Sequence, residues 1–296
     1  MTMQKEALSM ARPTVKPFNS QLIKWVGNKQ RFAPQIISFF PYDMKDYYEP
    51  FLGSGGVLGT LAPKHGIASD VLHPLMEIWF SLKENPTQLI QWYSDRRKGL
   101  ETHEQVKTQY EKILRNFNKH PNGADFIFLT RTCYGGVVRF RKNDGAMSTP
   151  CGAHNPISED SFAKRVAAWH KRIAGTEFFC SDYRKIIEQA SKGDVIYCDP
   201  PYVDSQNILY GAQQFQLSEL FEAIDKAKSR GVRIVLSIDG SKKSGLYNVL
   251  LNFPKGLFET EANITVGRSM LHRFQMEGQS LEKDIVKDRL LLTYDL

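Results

Sequence analysis

Sulfur is scarce in this chain: four cysteines in 296 residues, at 133, 151, 180 and 198, and no two of them form a Cys-x-x-Cys pair. That spacing argues against a structural zinc site and fits a reduced, cytoplasmic setting. The histidines, among them His73, His103, His120, His154 and His170, are scattered through polar stretches and read as surface residues, so no metal is expected. No apolar run is long enough to span a bilayer, and the opening residues do not have the pattern of a signal peptide. The dinucleotide fingerprint and the Walker lysine are both missing, which excludes a nicotinamide-dependent oxidoreductase and makes pyrophosphate binding a poor fit. Internal repeats and low-complexity segments are absent as well. What the chain has in surplus is positive charge, 39 Lys and Arg against 32 Asp and Glu, for a net +7. A balance of that size favours a polyanionic partner without requiring one. The length is enough for a full core and one catalytic domain with a sizeable insertion.

Against that background Asp199-Pro200-Pro201-Tyr202 stands out, because it follows the apolar run Asp194-Val195-Ile196-Tyr197-Cys198 and so lies at the carboxyl end of a strand. Open α/β sheets place their chemistry there. Two prolines lack backbone N–H donors and fix φ, so they end strand pairing and hold the chain extended between a carboxylate and an aromatic ring. The Asp199 carboxylate and the Pro200 carbonyl can accept the two protons of an exocyclic amine while Tyr202 stacks on a flat base. An ordinary strand-ending turn would have the same local sequence. Cys198 should point to the opposite face of its strand from Asp199, which removes it as a nucleophile.

A second cluster is Glu49-Pro50-Phe51-Leu52-Gly53-Ser54-Gly55-Gly56-Val57, where a strand signal from Lys45 to Tyr48, a glycine turn and a helix start follow one another. Glycines such as Gly53 and Gly55 let backbone pass close to a ligand. Asp70 ends the short apolar run Gly66 to Ser69, nineteen residues after Phe51, where a second strand would present an acid to ribose hydroxyls. Capping the helix that begins at Pro74 is its competing role.

The rest of the chain divides into three regions. Residues 1–20 carry Pro13 and Pro17 without helical or strand period and read as a loosely held arm. Gln30 to Phe40 is amphipathic and helix-like, and strand, helix and strand follow through Asp70. Residues 72–175 change to polar helices rich in Lys, Arg, Gln and aromatics, a helical insertion in a sheet domain. Strand signals return at Glu177 to Cys180, Val195 to Cys198 and Arg233 to Ile238, with helix-like Arg184 to Gln189 and Ser218 to Ser229 between them, as βαβ units require. Leu257 to Ile264 and Arg289 to Tyr294 could complete the sheet as an antiparallel pair. Within the insertion, Gly136 to Arg141, the turn Asn143-Asp144-Gly145 and Ala146 to Pro150 form a hairpin signal. Its arms carry Arg139, Arg141 and Lys142; a two-stranded ribbon fits a DNA major groove, and a solvated hairpin is the plain alternative.

Lys24-Trp25-Val26-Gly27-Asn28-Lys29, the Phe51 to Gly56 turn, Cys133-Tyr134-Gly135-Gly136-Val137-Val138-Arg139 with Thr149-Pro150-Cys151-Gly152, and Asp199 to Tyr202 occur in the order found in the Dam-type, α-group DNA adenine-N6 methyltransferases of the D12 class, which this chain resembles from about Gln21 onward. The resemblance implies an α/β fold: a Rossmann-like, S-adenosylmethionine-dependent sheet domain over residues 21–71 and 176–296, with residues 72–175 as a DNA-recognition insertion bearing the hairpin. It implies methyl transfer from S-adenosylmethionine to an adenine flipped out of double-stranded DNA, with no metal, and leaves room for a cognate restriction endonuclease. Trp25 and Lys29 match positions that close over the methionine part of the cofactor, Phe51 and the glycine turn pack on its adenosyl part, and Asp182 and Tyr183 match positions beside its adenine ring. A helix cap is the alternative for Asp182, and a packed core ring for Trp25. On the hairpin, Tyr134 and Val137 would be wedge or packing residues at the base step beside the flipped adenine, and Arg139 the guanine reader. Gly135 stands where the GATC-reading enzymes have asparagine, so adenine methylation is implied but GATC recognition is not. Arg268 and Arg273 are cations suited to phosphate contact or plain surface charge. A cytosine-N4 methyltransferase, an RNA methyltransferase and a catalytically inactive DNA-binding relative are the competing readings.

Overall fold

Val195–Cys198, apolar at every position, becomes the central strand β4 of a seven-stranded sheet and is buried along its whole length. The computed structural model describes residues 13–201, 215–239, 241–242, 247–248, 253–267 and 286–296. The sheet also contains β1 (Tyr47–Glu49), β2 (Gly66–Asp70), β3 (Thr176–Cys180), β5 (Arg233–Asp239), β8 (Thr260–Gly267) and β9 (Val286–Leu292), in the order β3-β2-β1-β4-β5-β9-β8. The first five are parallel, while β9 lies antiparallel between β5 and β8. Two-residue strands β6 (Ser241–Lys242) and β7 (Tyr247–Asn248) pair apart from this sheet.

Among the described residues nine α-helices accompany the strands: α1 (Ala33–Ile37), α2 (Gly56–Leu61), α3 (His73–Glu84), α4 (Pro86–Arg97), α5 (His103–Lys119), α6 (Gly123–Thr132), α7 (Glu159–Arg172), α8 (Tyr183–Gln189) and α9 (Leu217–Ser229). Alternation along the strands sorts the core into two clusters. Tyr47, Val195, Tyr197 and Val235 face one side with α1 to α7; Tyr48, Ile196, Cys198, Ile234 and Leu236 face the other with α8 and α9. Cys198 therefore does point away from the face of Tyr197. The five helices between β2 and β3 share the first cluster with the sheet, α3 packing on both strands and α7 on α2, so one continuous core joins them to it. Among the described residues no helix is long and apolar enough to cross a membrane.

Several sequence expectations shift. The helix expected over residues 30–40 shrinks to Ala33–Ile37, because Pro34 has no N–H to donate and is tolerated only in a first turn. The closing antiparallel pair is present, but its strands are Thr260–Gly267 and Val286–Leu292, displaced from the expected positions. Residues 18–20 are not loosely held: Phe18 packs edge-on against Trp169 at 5.1 Å, under the Arg172 guanidinium, and Ser20 O accepts from Gln30 Nε2 at 3.0 Å. His170 is half-buried and not a free surface residue, its Nδ1 donating to Leu82 O at 2.8 Å.

Candidate active site

Strand order reverses between β1 and β4, and at such a switch the loops leaving the carboxyl ends diverge and open a crevice. Here the loops are Pro50–Gly55 and Asp199–Pro201, and a cavity of about 640 Å³ lies over them. Its wall includes Trp25, Lys29, Phe51, Gly53, Asp70, Asp182, Tyr183, Asp199, Pro200 and Pro201, brought together from five separate parts of the chain.

The glycine turn is pinned on both sides. Gly55 has φ +63° and its N–H donates to Leu52 O at 2.7 Å, a left-handed turn that suits glycine and leads into α2. Gly55 itself faces Trp79 behind the turn and is not part of the cavity wall. Asp70, at the end of β2, accepts from Gly53 N with Oδ2 and from Leu72 N with Oδ1, each at 3.0 Å. Its first duty is thus to hold the turn and its own loop; Leu72 is the residue that precedes α3, and no side chain caps that helix. Burial pushes the Asp70 carboxyl above its ordinary range, and the backbone N–H groups oppose that shift. The loop carrying Lys29 sits directly on the turn, since a Cβ built on Gly56 would lie 2.6 Å from both Gln30 N and Asn28 Oδ1. Trp25 covers Gly53 in the same way, with its Nε1 3.0 Å from a Cβ built there.

Lys29 is only 6% exposed, and its Nζ donates to both oxygens of Asp199, at 2.7 and 3.0 Å. The resemblance implies that Lys29 closes over the methionine part of the cofactor; in the structure it lines the cavity and its ammonium bonds Asp199. Glu49, which sequence reasoning quoted only as the start of the glycine motif, is a buried member of the same wall. It accepts from the Tyr47 hydroxyl at 2.5 Å, and its pKa is raised to about 8, first by burial, against the pull of the Tyr47 bond, with the Asp199 charge adding to the rise. The register Tyr47↔Val195 places Glu49 and Asp199 on one face at adjacent strand ends. A carboxylate ending a strand beside the glycine turn was the signal that could have found it.

The far end of the cavity is aromatic. Phe51 stacks on Tyr183 at 5.0 Å and 27°, and Phe215 meets both edge-on. The Tyr183 hydroxyl is buried without a hydrogen-bond partner among the described residues. A flat-ring ligand with a polar edge fits such a cradle. Asp182 caps α8 through Arg184 N at 2.9 Å and pairs with the Arg184 guanidinium, whose bonds hold its carboxyl below the usual range; Arg184 also bridges to Glu219 at 2.7 Å. Arg184, Phe215 and Glu219 line this end and carry no motif that would have marked them.

The hairpin residues lie outside the cavity wall. Continuous strands were expected from Gly136 to Arg141 and from Ala146 to Pro150, but the structure has a 3-10 turn at Tyr134–Gly136 and two isolated bridges, Cys133↔Cys151 and Phe140↔Met147. The positive φ of Gly135 and Gly136 breaks the extended run, and the Thr149 side chain takes a ladder position by accepting from Arg139 N and donating to Val137 O. Val138, Phe140 and Met147 face inward; Arg139, Arg141 and Lys142 are exposed. Val137 is buried and packs, Tyr134 is 40% exposed, and Arg141 pairs with Asp144 across the turn. Tyr202, Arg268 and Arg273 lie outside the described residues.

Comparison with known proteins gives this arrangement a family. The profile described as D12 class N6 adenine-specific DNA methyltransferase matches residues 25–265. The type II methyltransferase M.MjaIII of Methanocaldococcus jannaschii is 30% identical over 253 residues, covering 75% of this chain and 84% of its own. A DNA adenine methylase of Haemophilus influenzae is 27% identical, covering 76% and 84%. The DNA N-6-adenine-methyltransferase of Escherichia phage P1 is 28% identical over 80% of this chain but only 32% of its own length. With the Asp-Pro-Pro strand end, the glycine turn and the hairpin all inside the matched span, the chain belongs to the D12 class of N6 adenine-specific DNA methyltransferases.

Proposed function

We propose that the cavity holds S-adenosylmethionine at its glycine-turn and aromatic end, and an adenine rotated out of duplex DNA at its Asp199 end. The observation that carries this reading is that the glycine turn, the Phe51–Tyr183 stack and Asp199-Pro200-Pro201 share one cavity at the sheet's switch point. Bound there, the cofactor supplies an electrophilic methyl group. Phe51, Tyr183 and Phe215 grip its ring, Asp70 offers its remaining lone pairs to ribose hydroxyls, and Trp25 closes over the turn. Rotating the target base out of the helix costs a few kcal/mol, of which Tyr202 returns a part by stacking.

Adenine N6 is a weak nucleophile because its lone pair is delocalised into the ring. Hydrogen bonds from N6 to Asp199 and to the Pro200 carbonyl localise that pair and stabilise the positive charge that grows there. Lys29 donates to both oxygens of Asp199 and so fixes the carboxylate's orientation, and each oxygen keeps a lone pair with which to accept from the incoming amine. The methylated nitrogen then sheds a proton.

Residues 21–71 and 176–296 act as the catalytic domain and residues 72–175 as the recognition part, with α3 and α7 tying the second to the first. Arg139 reads a base, with Arg141 and Lys142 beside it. Gly135, which offers no side chain, implies a recognition sequence other than GATC. The type II name of the Methanocaldococcus relative suggests a cognate restriction endonuclease as partner, and action in the cytoplasm, where the DNA is. The test is calorimetric binding of S-adenosylmethionine, followed by single-molecule sequencing of DNA from cells expressing the chain. Cofactor binding with N6-methyladenine at one short motif is expected; absence of cofactor binding, or methyl groups on cytosine, would overturn the reading.

A further inference from the structure

Cys133 and Cys151 do not enter the chemistry above, yet the fold sets them face to face. They form an antiparallel bridge, flanked by Gly152 N donating to Thr132 O at 2.8 Å and Tyr134 N donating to Pro150 O at 2.9 Å. Bonds on the neighbours and none between the two residues define a non-hydrogen-bonded pair, whose Cα atoms approach to about 4.5 Å with both side chains on one side of the ribbon. A disulfide spans Cα separations of about 4.4–6.8 Å. Both thiols are free, Cys133 buried and Cys151 half-buried. A third group lies close by: the Tyr110 hydroxyl of α5 donates to Thr149 O at 2.7 Å and has its pKa pushed up by burial and then by both Cys133 and Cys151. The two thiols therefore lie near this hydroxyl, on the α5 side of the segment.

We propose that Cys133 and Cys151 are a dithiol modification site, which a small-molecule disulfide converts into a cross-strand disulfide that staples the base of the 133–151 segment. The Cys151 thiolate, the more accessible, attacks one sulfur of the reagent, forming a mixed disulfide and releasing one thiol. The Cys133 thiolate then attacks the Cys151 sulfur and expels the second thiol. One reagent disulfide is reduced to two thiols, and the cysteine pair loses two hydrogens. Burial pushes both thiols up, Cys133 to about 12, with the nearby Lys24 ammonium opposing the shift at Cys133. Thiolate is scarce as a result, and the reaction runs over minutes to hours. Because the two residues already face each other, the staple acts mainly by restricting the unfolded chain. The site stands independently of how the hairpin meets DNA.

The experiment treats the folded full chain with excess oxidised glutathione at mildly alkaline pH, quenches with acid and maps peptides without reduction. A peptide linking Cys133 to Cys151, abolished by dithiothreitol, is expected, with no glutathione left on Cys151. Cys133→Ser should leave glutathione stranded on Cys151, since no thiol remains to expel it; if that variant fails to fold, the wild-type map still decides. The stapled protein should melt a few degrees above the reduced one, with cofactor affinity unchanged. A lasting glutathione adduct on wild-type Cys151, linkage of either residue to Cys180 or Cys198, reaction of Cys133 only in denaturant, or a lowered melting point would each overturn the proposal.

Discussion

The cavity rim and the hairpin are both rich in charge, and they use it in opposite ways. Around Asp199 and the glycine turn the ionisable groups are buried or half-buried and matched: Lys29 bonds both Asp199 oxygens, Asp70 is tied to two backbone N–H groups, and Glu49 accepts from the Tyr47 hydroxyl. On the hairpin Arg139, Arg141 and Lys142 face solvent, and the pair Arg141–Asp144 is exposed on both sides. A buried pair acts in a low dielectric, fixes geometry and is expensive to break; an exposed pair is screened and worth little. The carboxylates at the strand ends are therefore held in place by the fold, whereas the hairpin's cations are solvated. Substitutions at the two places should fail differently.

The sharpest break should come from Asp199→Ala, which removes the acceptor proposed for adenine N6. Loss of such an oriented partner lowers turnover about a hundredfold or more. Methyl transfer to duplex DNA, measured with saturating cofactor, checks this; cofactor and DNA binding should persist, and near wild-type turnover would remove Asp199 from the chemistry.

Lys29→Met removes an ammonium that donates to both Asp199 oxygens, and loss of an adjacent opposite charge favours the neutral carboxyl. The acidic limb of the turnover profile should move to higher pH and the protein should lose stability, by as much as about 3–5 kcal/mol if the strand end does not take in water. A pH profile unchanged from wild type would show that the pair does not set the state of Asp199.

Gly56→Ala acts on the same pair from behind, by placing a methyl group against Gln30 N and Asn28 Oδ1. Overpacking of this kind costs about 1–3 kcal/mol. It should also loosen the Lys29 loop, and weaker S-adenosylmethionine binding by calorimetry is the expected readout.

Glu49 gives the rim a pH signature. Its folded pKa of about 8 lies above its ordinary 4.5, so the folded state retains a proton that the unfolded state has lost. This contribution to stability is fully present below about pH 4.5 and is lost as the pH rises to about 8. Glu49→Gln should flatten that slope in denaturant titrations and be the more stable protein at the alkaline end; an unaltered slope would assign it to other groups.

The smallest effects belong to the hairpin. If Arg139 contacts a base edge, Arg139→Ala should remove about 1–3 kcal/mol of discrimination at one position of the site, whereas a phosphate contact would weaken all sequences alike. Arg141→Ala, which removes only an exposed and screened ion pair with Asp144, should leave stability nearly unchanged. Methylation rates across a randomised-site library at two salt concentrations separate these cases.

How much of this was legible depended on the range of the interaction. The strand Val195–Cys198, the glycine turn and the end of β2 at Asp70 are visible because apolar runs and turn residues act through neighbours in sequence. The hairpin departs from its expected strands at its base: Gly136 begins the alternating run Gly136 to Arg141, but positive φ at Gly136 and at Gly135 before it ends the extended chain ahead of Val137. Asp182 was legible in both of its roles, and the structure realises the cap while leaving the residue in the cavity wall. Glu49 went unmarked because a glutamate at a strand end is chemically ordinary until its burial is known.

The sequence by itself determined the parallel strands, the place of the chemistry at their carboxyl ends and the family to which the chain belongs, since each rests on local pattern or on motifs in a fixed order. Only the tertiary structure decided which charges meet. Lys29 reaches Asp199 across 170 positions of chain, Cys133 faces Cys151 across a loop, and Glu49 loses its water to a wall built from other strands. Burial and pairing are properties of the packed core as a whole, and no stretch of sequence carries them alone.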